Sequence, residues 1–145
     1  MKLMLDTQVL VEVCTPGRFK DTKEWFRRLL LAPSPPELLV SVLADFELRR
    51  TLHRKGATKS LQHLEDLTKS LRVVPLSADA AHRAVVLAST VHPQLSDADA
   101  IVAAQAMTEG ATLVTADQVL HSVPGLNARA WGEIDASEFA MAEPA

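Results

Sequence analysis

Residues 96–107 read SDADAIVAAQAM, and this stretch says most about the fold. Every residue from Ala100 to Met107 except Gln105 is apolar, so a helix here is apolar nearly all round. Such a helix is buried in the middle of a domain. Two acids, Asp97 and Asp99, open the helix, and at 100° per residue they point about 200° apart. Only one of them can therefore face a central site, whereas the other is explained by the helix dipole, which favours negative charge in the first turn.

On both sides of this helix, short apolar stretches alternate with longer segments of helical periodicity. The sequence predicts strands at 2–5, 37–41, 71–75 and 111–115, with an edge strand near 128–131. It predicts helices at 7–14, 21–31, 42–55, 58–70, 78–91 and 96–109, and a short turn or helix after the fourth strand. This alternation favours an α/β domain whose mainly parallel sheet is covered on both faces. Because ligands bind such sheets outside the carboxyl ends of the strands, the residues that follow strands are the candidates for chemistry.

Acidic residues occupy these positions. Asp6 directly follows the first strand, and Asp117 follows the fourth. Each of them alone can be a simple helix cap. Glu47 lies inside the helix 42–55, on the face that also carries Arg50 and Arg54. Taken alone, Glu47 is better explained as part of a solvated helix face with an i,i+3 ion pair.

Four acids are thus predicted to converge: Asp6, Glu47, Asp99 and Asp117. Unpaired carboxylates in one site would repel one another and raise their pKa values. A hard divalent cation removes this repulsion, and Mg²⁺ and Mn²⁺ take oxygen ligands while keeping several waters. Such a site suits phosphodiester hydrolysis, because the metal activates a water and stabilises charge on the phosphate.

Four segments, in this order, resemble the PIN domain, and specifically its small single-domain toxins of VapC type. They are LDTQVL at 5–10, SVLADFELR at 41–49, DAIVAAQA at 99–106 and GATLVTAD at 110–117, with a following PGL at 124–126. Each segment alone is weak, but four at family-like spacing are specific. The resemblance covers nearly the whole chain.

The resemblance implies a PIN-like three-layer α/β/α domain, which we expect over residues 1–141, with a frayed tail at 142–145. It implies a metal-dependent ribonuclease in which the four acids are catalytic and hold Mg²⁺ or Mn²⁺. Thr7 and Thr115 match threonines that support the first and last acids. The family usually forms homodimers and is neutralised by an antitoxin. Gln8 and Ala116 depart from the family pattern, and the spacing of the third segment selects Asp99 over Asp97.

The net charge of −3 hides an asymmetry between the halves of the chain. Residues 1–72 hold 13 Lys and Arg against 9 Asp and Glu, which gives +4, whereas residues 73–145 hold 2 against 9, which gives −7. A protein that binds a polyanion needs a local basic surface rather than a basic average. Arg49, Arg50 and Arg54 are therefore the predicted RNA-binding residues. With no Tyr and 4% aromatic residues, we expect RNA to be held mainly through its backbone and the metal.

An apolar helix face is predicted in the segment 21–31, formed by Trp25, Phe26, Leu29 and Leu30. Plain core packing explains such a face. The resemblance implies a second role, because in VapC-like proteins a groove between the first helices takes an amphipathic antitoxin segment.

The composition excludes several classes. A chain of 145 residues has the size of one domain, and its apolar runs are far shorter than the roughly 20 residues that cross a membrane. No apolar stretch resembles a signal peptide, and Cys14 is the only cysteine, so we expect a cytoplasmic protein without membrane contact.

Two alternatives stay open: a catalytically silent PIN-fold binding module, and a phosphoryl-transfer α/β domain with Asp6 as nucleophile. The latter would want a second acid at the position of Gln8.

Overall fold

The computed structural model describes residues 1–91 and 94–140. The strands are β1 (Lys2–Leu5), β2 (Glu37–Ser41), β3 (Arg72–Val74), β4 (Thr112–Val114) and β5 (Ala128–Arg129). The α-helices are α1 (Thr7–Cys14), α2 (Lys20–Leu30), α3 (Val42–Lys55), α4 (Thr58–Thr68), α5 (Ala78–Val86), α6 (Asp97–Glu109) and α7 (Gln118–His121). A π-helical turn (Leu87–Val91) extends α5, and two 3₁₀ turns (Trp131–Glu133 and Ala136–Phe139) follow β5.

The sheet has the order β3-β2-β1-β4-β5, and each neighbouring pair of strands is parallel. The prediction of a mainly parallel sheet is confirmed. The chain first builds β2 and β3 on one side of β1 and then places β4 and β5 on the other. The strand order therefore reverses between β1 and β4, and ligands bind open α/β sheets outside the carboxyl ends at such a switch point.

Both faces of the sheet are covered, which confirms the three-layer α/β/α architecture. Alternate residues of a strand point to opposite faces. Leu3 and Leu5 accordingly join a core formed with α1, α2, α3 and α4, whereas Met4 joins a second core formed with α5, α6 and α7. The helix α6 is mostly buried, as its apolar composition predicts, and it ends at Gly110, whose φ of 66° suits glycine in a helix cap.

The predicted element bounds differ in a few places. The predicted helix 78–91 is α-helical only to Val86 and continues as the π turn. The helix α2 begins at Lys20 after Phe19, which adopts a left-handed φ of 57°. The predicted tail, residues 142–145, lies outside the described residues. None of the described helices is both long and apolar enough to cross a membrane.

Candidate functional site

Asp6 lies where β1 and β4 end side by side, at the switch point of the sheet. Its backbone N–H donates to the Val114 carbonyl (3.0 Å) and so extends the ladder between the strands by one bond. Its carboxylate accepts from two neutral donors, the Thr7 backbone N–H at Oδ1 (2.9 Å) and the Thr115 hydroxyl at Oδ2 (2.6 Å). Thr115 is fully buried, so its hydroxyl is a fixed donor. Asp6 is thereby oriented without being neutralised by a cation.

Thr115 also orders the turn that carries Asp117. The Thr115 hydroxyl oxygen accepts from the Asp117 backbone N–H (3.1 Å), and Asp117 Oδ1 caps α7 by accepting from the Val119 N–H (2.9 Å). On the other side of Thr115, its carbonyl oxygen lies 2.7 Å from His121 Nε2. Because a carbonyl can only accept, Nε2 carries the proton in this contact. One buried threonine thus holds both Asp6 and Asp117.

Asp99 approaches the same region from α6. Ser96 caps this helix by accepting from the Asp99 backbone N–H (3.1 Å). Burial raises the pKa of the Asp99 carboxyl above its usual range, a hydrogen bond from Ser96 opposes this, and the negative charges of Asp117 and Asp6 raise the pKa further. The three aspartates therefore share one electrostatic environment, although they come from three different elements.

Asp97 does not share this environment. It is exposed and lines a groove between α5 and α6, together with Val85, Ala88 and Ile101. The two acids at the start of α6 point in different directions, as 100° per residue predicts.

Glu47 lies half-buried in the first half of α3. In the described part of the chain, no hydrogen bond or ion pair connects Glu47 to Asp6, Asp99 or Asp117. Its membership of the acidic cluster stays a prediction.

The acidic cluster fits a hydrated hard cation better than a metal enclosed by protein ligands. Within residues 1–91 and 94–140, no three His, Cys, Asp or Glu side chains are close enough to hold one ion together. The donors are all carboxylate oxygens, and none of the three aspartates forms an ion pair with a described residue. Mg²⁺ is commonly held by one or two carboxylates and several waters. The residues present fit that mode of binding.

The three predicted RNA-binding arginines have different surroundings. Arg49 forms ion pairs with Asp45 (2.9 Å) and with Glu65 of α4, so its guanidinium joins two helices. Arg50 is exposed and lies over the ring of Phe46, 5.7 Å from the ring centroid. Arg54 is exposed in the last turn of α3. Arg50 and Arg54 are available for phosphate contacts, whereas Arg49 contributes first to the packing of α3 against α4.

A second concave feature lies between α1, α2 and α4. Its volume is 390 Å³, and it is lined by apolar and polar side chains: Val13, Lys23, Phe26, Arg27, Leu30, His63, Asp66, Leu67 and Ser70. Of the predicted apolar face, Trp25, Phe26 and Leu29 are buried in the core, and Trp25 donates to the Ile134 carbonyl (2.9 Å). Leu30 is 39% exposed and lines the groove.

Two polar residues of structural importance were missed at the sequence level, His121 and Gln105. The role of His121 was not predicted, because its contact is a backbone carbonyl six residues away, which no sequence pattern indicates. Gln105 is the single polar residue in the apolar run from Ala100 to Met107, and this pattern could have identified it as a buried residue with hydrogen-bond partners. A polar residue is kept in such a run only where its hydrogen bonds are satisfied.

Comparisons with known proteins agree with this fold. A model of the PIN domain matches residues 3–126. VapBC2 from Rickettsia felis, bound to a DNA fragment from its promoter, has a TM-score of 0.74 at 19% identity, over 90% of this chain and 99% of that chain. FitAcB from Neisseria gonorrhoeae has a TM-score of 0.71 at 21% identity, over 91% and 99%. VapC20 from Mycobacterium tuberculosis, a toxin that cleaves the sarcin–ricin loop, has a TM-score of 0.63 at 18% identity, over 86% and 98%. No curated protein sequence matches this chain.

Proposed function

Because this chain belongs to the PIN domain family, we propose that it is a metal-dependent endoribonuclease and the toxin of a toxin–antitoxin pair that acts in the cytoplasm. The observation that carries the proposal is the pairing of Asp6 and Asp117 through the Thr115 hydroxyl at the switch point of the sheet, with Asp99 near enough for their charges to raise its pKa. The similarity in fold to VapC20, which is a toxin, supports the toxin role. The similarity to VapC20 supports RNA as the substrate.

The proposed cofactor is Mg²⁺ or Mn²⁺. When bound, the ion supplies a Lewis acid that makes a water more acidic and stabilises negative charge on the phosphate. Asp6 is the best oriented of the proposed ligands, since two neutral donors hydrogen-bond to its carboxylate and leave its negative charge intact. Asp117 keeps Oδ2 available after Oδ1 has capped α7. Asp99 of α6 and Glu47 of α3 are proposed to complete the set through waters of the bound ion, since no three acids of the described residues are close enough to hold one ion directly.

The supporting threonines act in different ways. Thr115 uses its hydroxyl to orient Asp6 and to anchor the turn before Asp117. Thr7 contributes its backbone N–H, which holds the other oxygen of Asp6. RNA is proposed to lie across the carboxyl ends of β1 and β4, with its phosphates near the exposed Arg50 and Arg54.

Cleavage of labelled RNAs by the purified protein tests this function. We expect cleavage with Mg²⁺ or Mn²⁺ and none in EDTA, with Asp6→Asn as the inactive control. Products should carry 5′-phosphate and 3′-hydroxyl ends, because water is the nucleophile. Undiminished cleavage in EDTA, or 2′,3′-cyclic phosphate ends, would refute the mechanism. RNA binding without cleavage of any RNA would instead favour the catalytically silent binding module.

The groove between α1, α2 and α4 is the proposed antitoxin site. Its apolar lining suits one face of an amphipathic segment, and Asp66 and Lys23 add polar groups to the lining. We expect the antitoxin to protect residues 7–31 in hydrogen exchange. Leu30→Glu should weaken binding at least about tenfold by placing a charge in this apolar lining. Leu31→Glu is the matched control, because Leu31 is 68% exposed and does not line the groove. Equal effects of the two substitutions would contradict this site.

We also propose that two copies of the toxin associate. Large apolar side chains are exposed on α5 at Val85 (62%) and Val86 (53%), and on α3 at Phe46 (57%). Sedimentation of the purified chain should show a dimer, and Val85→Glu should shift it to the monomer. A monomer at all concentrations would contradict the proposal.

A further inference from the structure

Gln105 is an unusual residue for its place in the fold. It is 1% exposed and lies in the second half of α6, where its neighbours along the helix from Ala100 to Ala106 are apolar. An apolar side chain would fill the same space without a polar group to satisfy. The amide is therefore expected to make contacts that the fold needs.

The Gln105 side chain joins two neighbouring strands at their carboxyl ends. Its Nε2 donates to the Val74 carbonyl at the end of β3 (3.1 Å), and its Oε1 accepts from the Ser41 hydroxyl at the end of β2 (2.5 Å). Ser41 and Val74 are register partners in the sheet. Since the Val74 carbonyl can only accept, the amide has one orientation that satisfies both partners.

The same contact reaches the start of α3. Ser41 is fully buried and is the N-cap of this helix, because its Oγ also accepts from the Leu43 N–H (3.1 Å). A continuous path of hydrogen bonds thus runs from β3 through Gln105 and Ser41 to the first turn of α3. The polar groups in this path are paired, which makes such a path directional and rigid.

We propose that Gln105 is a positioning residue that fixes α6, with Asp99, relative to α3, with Glu47. Asp99 lies six residues before Gln105, and Glu47 lies six residues after Ser41, so each acid stands about 9 Å along its helix from the shared bond. No hydrogen bond or ion pair between described residues joins the two acids directly. Their separation is therefore set through the helices that carry them, and the Gln105–Ser41 bond is where those helices are tied together.

The expected effect of Gln105 on metal binding and RNA cleavage rests on the proposed function, whereas its expected effect on the relative position of α3 and α6 does not. Gln105→Met keeps the approximate length of the side chain and removes both hydrogen bonds. Val102→Ala is the matched control, because Val102 is a buried residue of the same helix that takes no part in the path. Both substitutions should lower the melting temperature.

The test combines three measurements on the full chain. Mn²⁺ affinity is measured without RNA, from the electron paramagnetic resonance of free Mn²⁺. Cleavage gives kcat and KM separately. The distance between spin labels on Thr51→Cys of α3 and Thr108→Cys of α6 is measured by pulsed resonance without metal, in a Cys14→Ala background; both threonines are exposed.

We expect Gln105→Met to weaken Mn²⁺ binding or lower kcat by about 10–100-fold, as losses of residues that orient metal ligands do, with little change in KM. The label distance should broaden in Gln105→Met and stay narrow in Val102→Ala. Ser41→Ala should act like Gln105→Met, Ser41→Thr should restore the behaviour, and the double variant should be no worse than the worse single one.

If Gln105→Met matches Val102→Ala in label distance, or if the wild-type chain binds Mn²⁺ and the two variants match in both Mn²⁺ affinity and kcat, Gln105 only fills the core and the inference is wrong. If the wild-type chain binds no Mn²⁺ while the distance broadens in Gln105→Met alone, the positioning role stands and the metal-dependent function falls.

Discussion

Replacing Asp99 and Asp97 separately by Asn tests which acid of α6 belongs to the site. The change keeps the size and hydrogen bonding of the side chain and removes its charge. The structure places Asp99 in the field of Asp6 and Asp117, and it places Asp97 in the groove beside α5. The two substitutions should therefore differ in their effects on the melting temperature and on metal binding.

Without metal, both substitutions lose the interaction of an acid with the helix dipole, about 0.3–1 kcal/mol. For Asp97→Asn this is the whole effect, and it corresponds to a fall of up to about 4 °C in melting temperature. Asp99→Asn also removes a charge whose pKa is raised by burial and by Asp117 and Asp6. A raised pKa means that the carboxyl stabilises the fold when protonated and that this contribution is lost as pH rises through the folded pKa. At neutral pH, Asp99→Asn should therefore melt no lower than Asp97→Asn.

With Mn²⁺ present, the order of the two melting temperatures reverses. Saturating metal at about 100 times Kd stabilises a protein by about 2.7 kcal/mol, which is about 5–10 °C for a domain of this size. Wild type and Asp97→Asn should show this shift and cleave RNA within a few-fold of each other. Asp99→Asn should show little shift and lose cleavage by orders of magnitude. Calorimetric melts with EDTA and with Mn²⁺, beside a cleavage assay, measure both effects. Exchanged behaviour of the two variants would mean that Asp97 is the ligand.

Three further predictions concern the surroundings of the cluster. Thr115→Val should lower kcat about 10–100-fold because Asp6 loses a fixed donor, whereas Thr115→Ser should stay close to wild type; equal rates would contradict the role of the hydroxyl. Arg50→Ala should weaken RNA binding and reduce the salt slope by about 1, whereas Arg49→Ala should lower the melting temperature and leave the slope unchanged, since Arg49 is paired with Asp45 and Glu65. As the pH is lowered, Mn²⁺ affinity should begin to fall at a higher pH than it would for ligands with the ordinary pKa of Asp, because the raised pKa of Asp99 lets protons compete with the metal. A titration of Mn²⁺ affinity from about pH 7 to about pH 4 measures this, and a midpoint of the fall near pH 4 would contradict it.

The fold followed closely from local sequence patterns. Short apolar stretches became strands of the sheet, and the helix predicted at 96–109 ends before Gly110 as the structure has it. The places of Asp6 and Asp117 followed from the rule that parallel strands end at one edge. Local patterns could not predict features set by distant contacts. The ion pair between Arg49 of α3 and Glu65 of α4 joins residues that are 16 positions apart in the sequence. Phe19 adopts a left-handed backbone conformation although it is not a glycine, the residue type that would have predicted it.

Charge and hydrophobicity are the patterns that a sequence shows best, and they explain why the acids were easier to predict than their arrangement. Neutral buried groups set that arrangement. Thr115 joins Asp6 to the turn of Asp117 across 109 positions of sequence, and Gln105 joins Ser41 across 64. A buried hydroxyl or amide can orient a carboxylate or a helix without cancelling the negative charge that a cation needs, whereas a lysine or arginine in the same place would cancel it. The residues that orient the acids of the proposed cation site are therefore the ones that a search for charged motifs does not find.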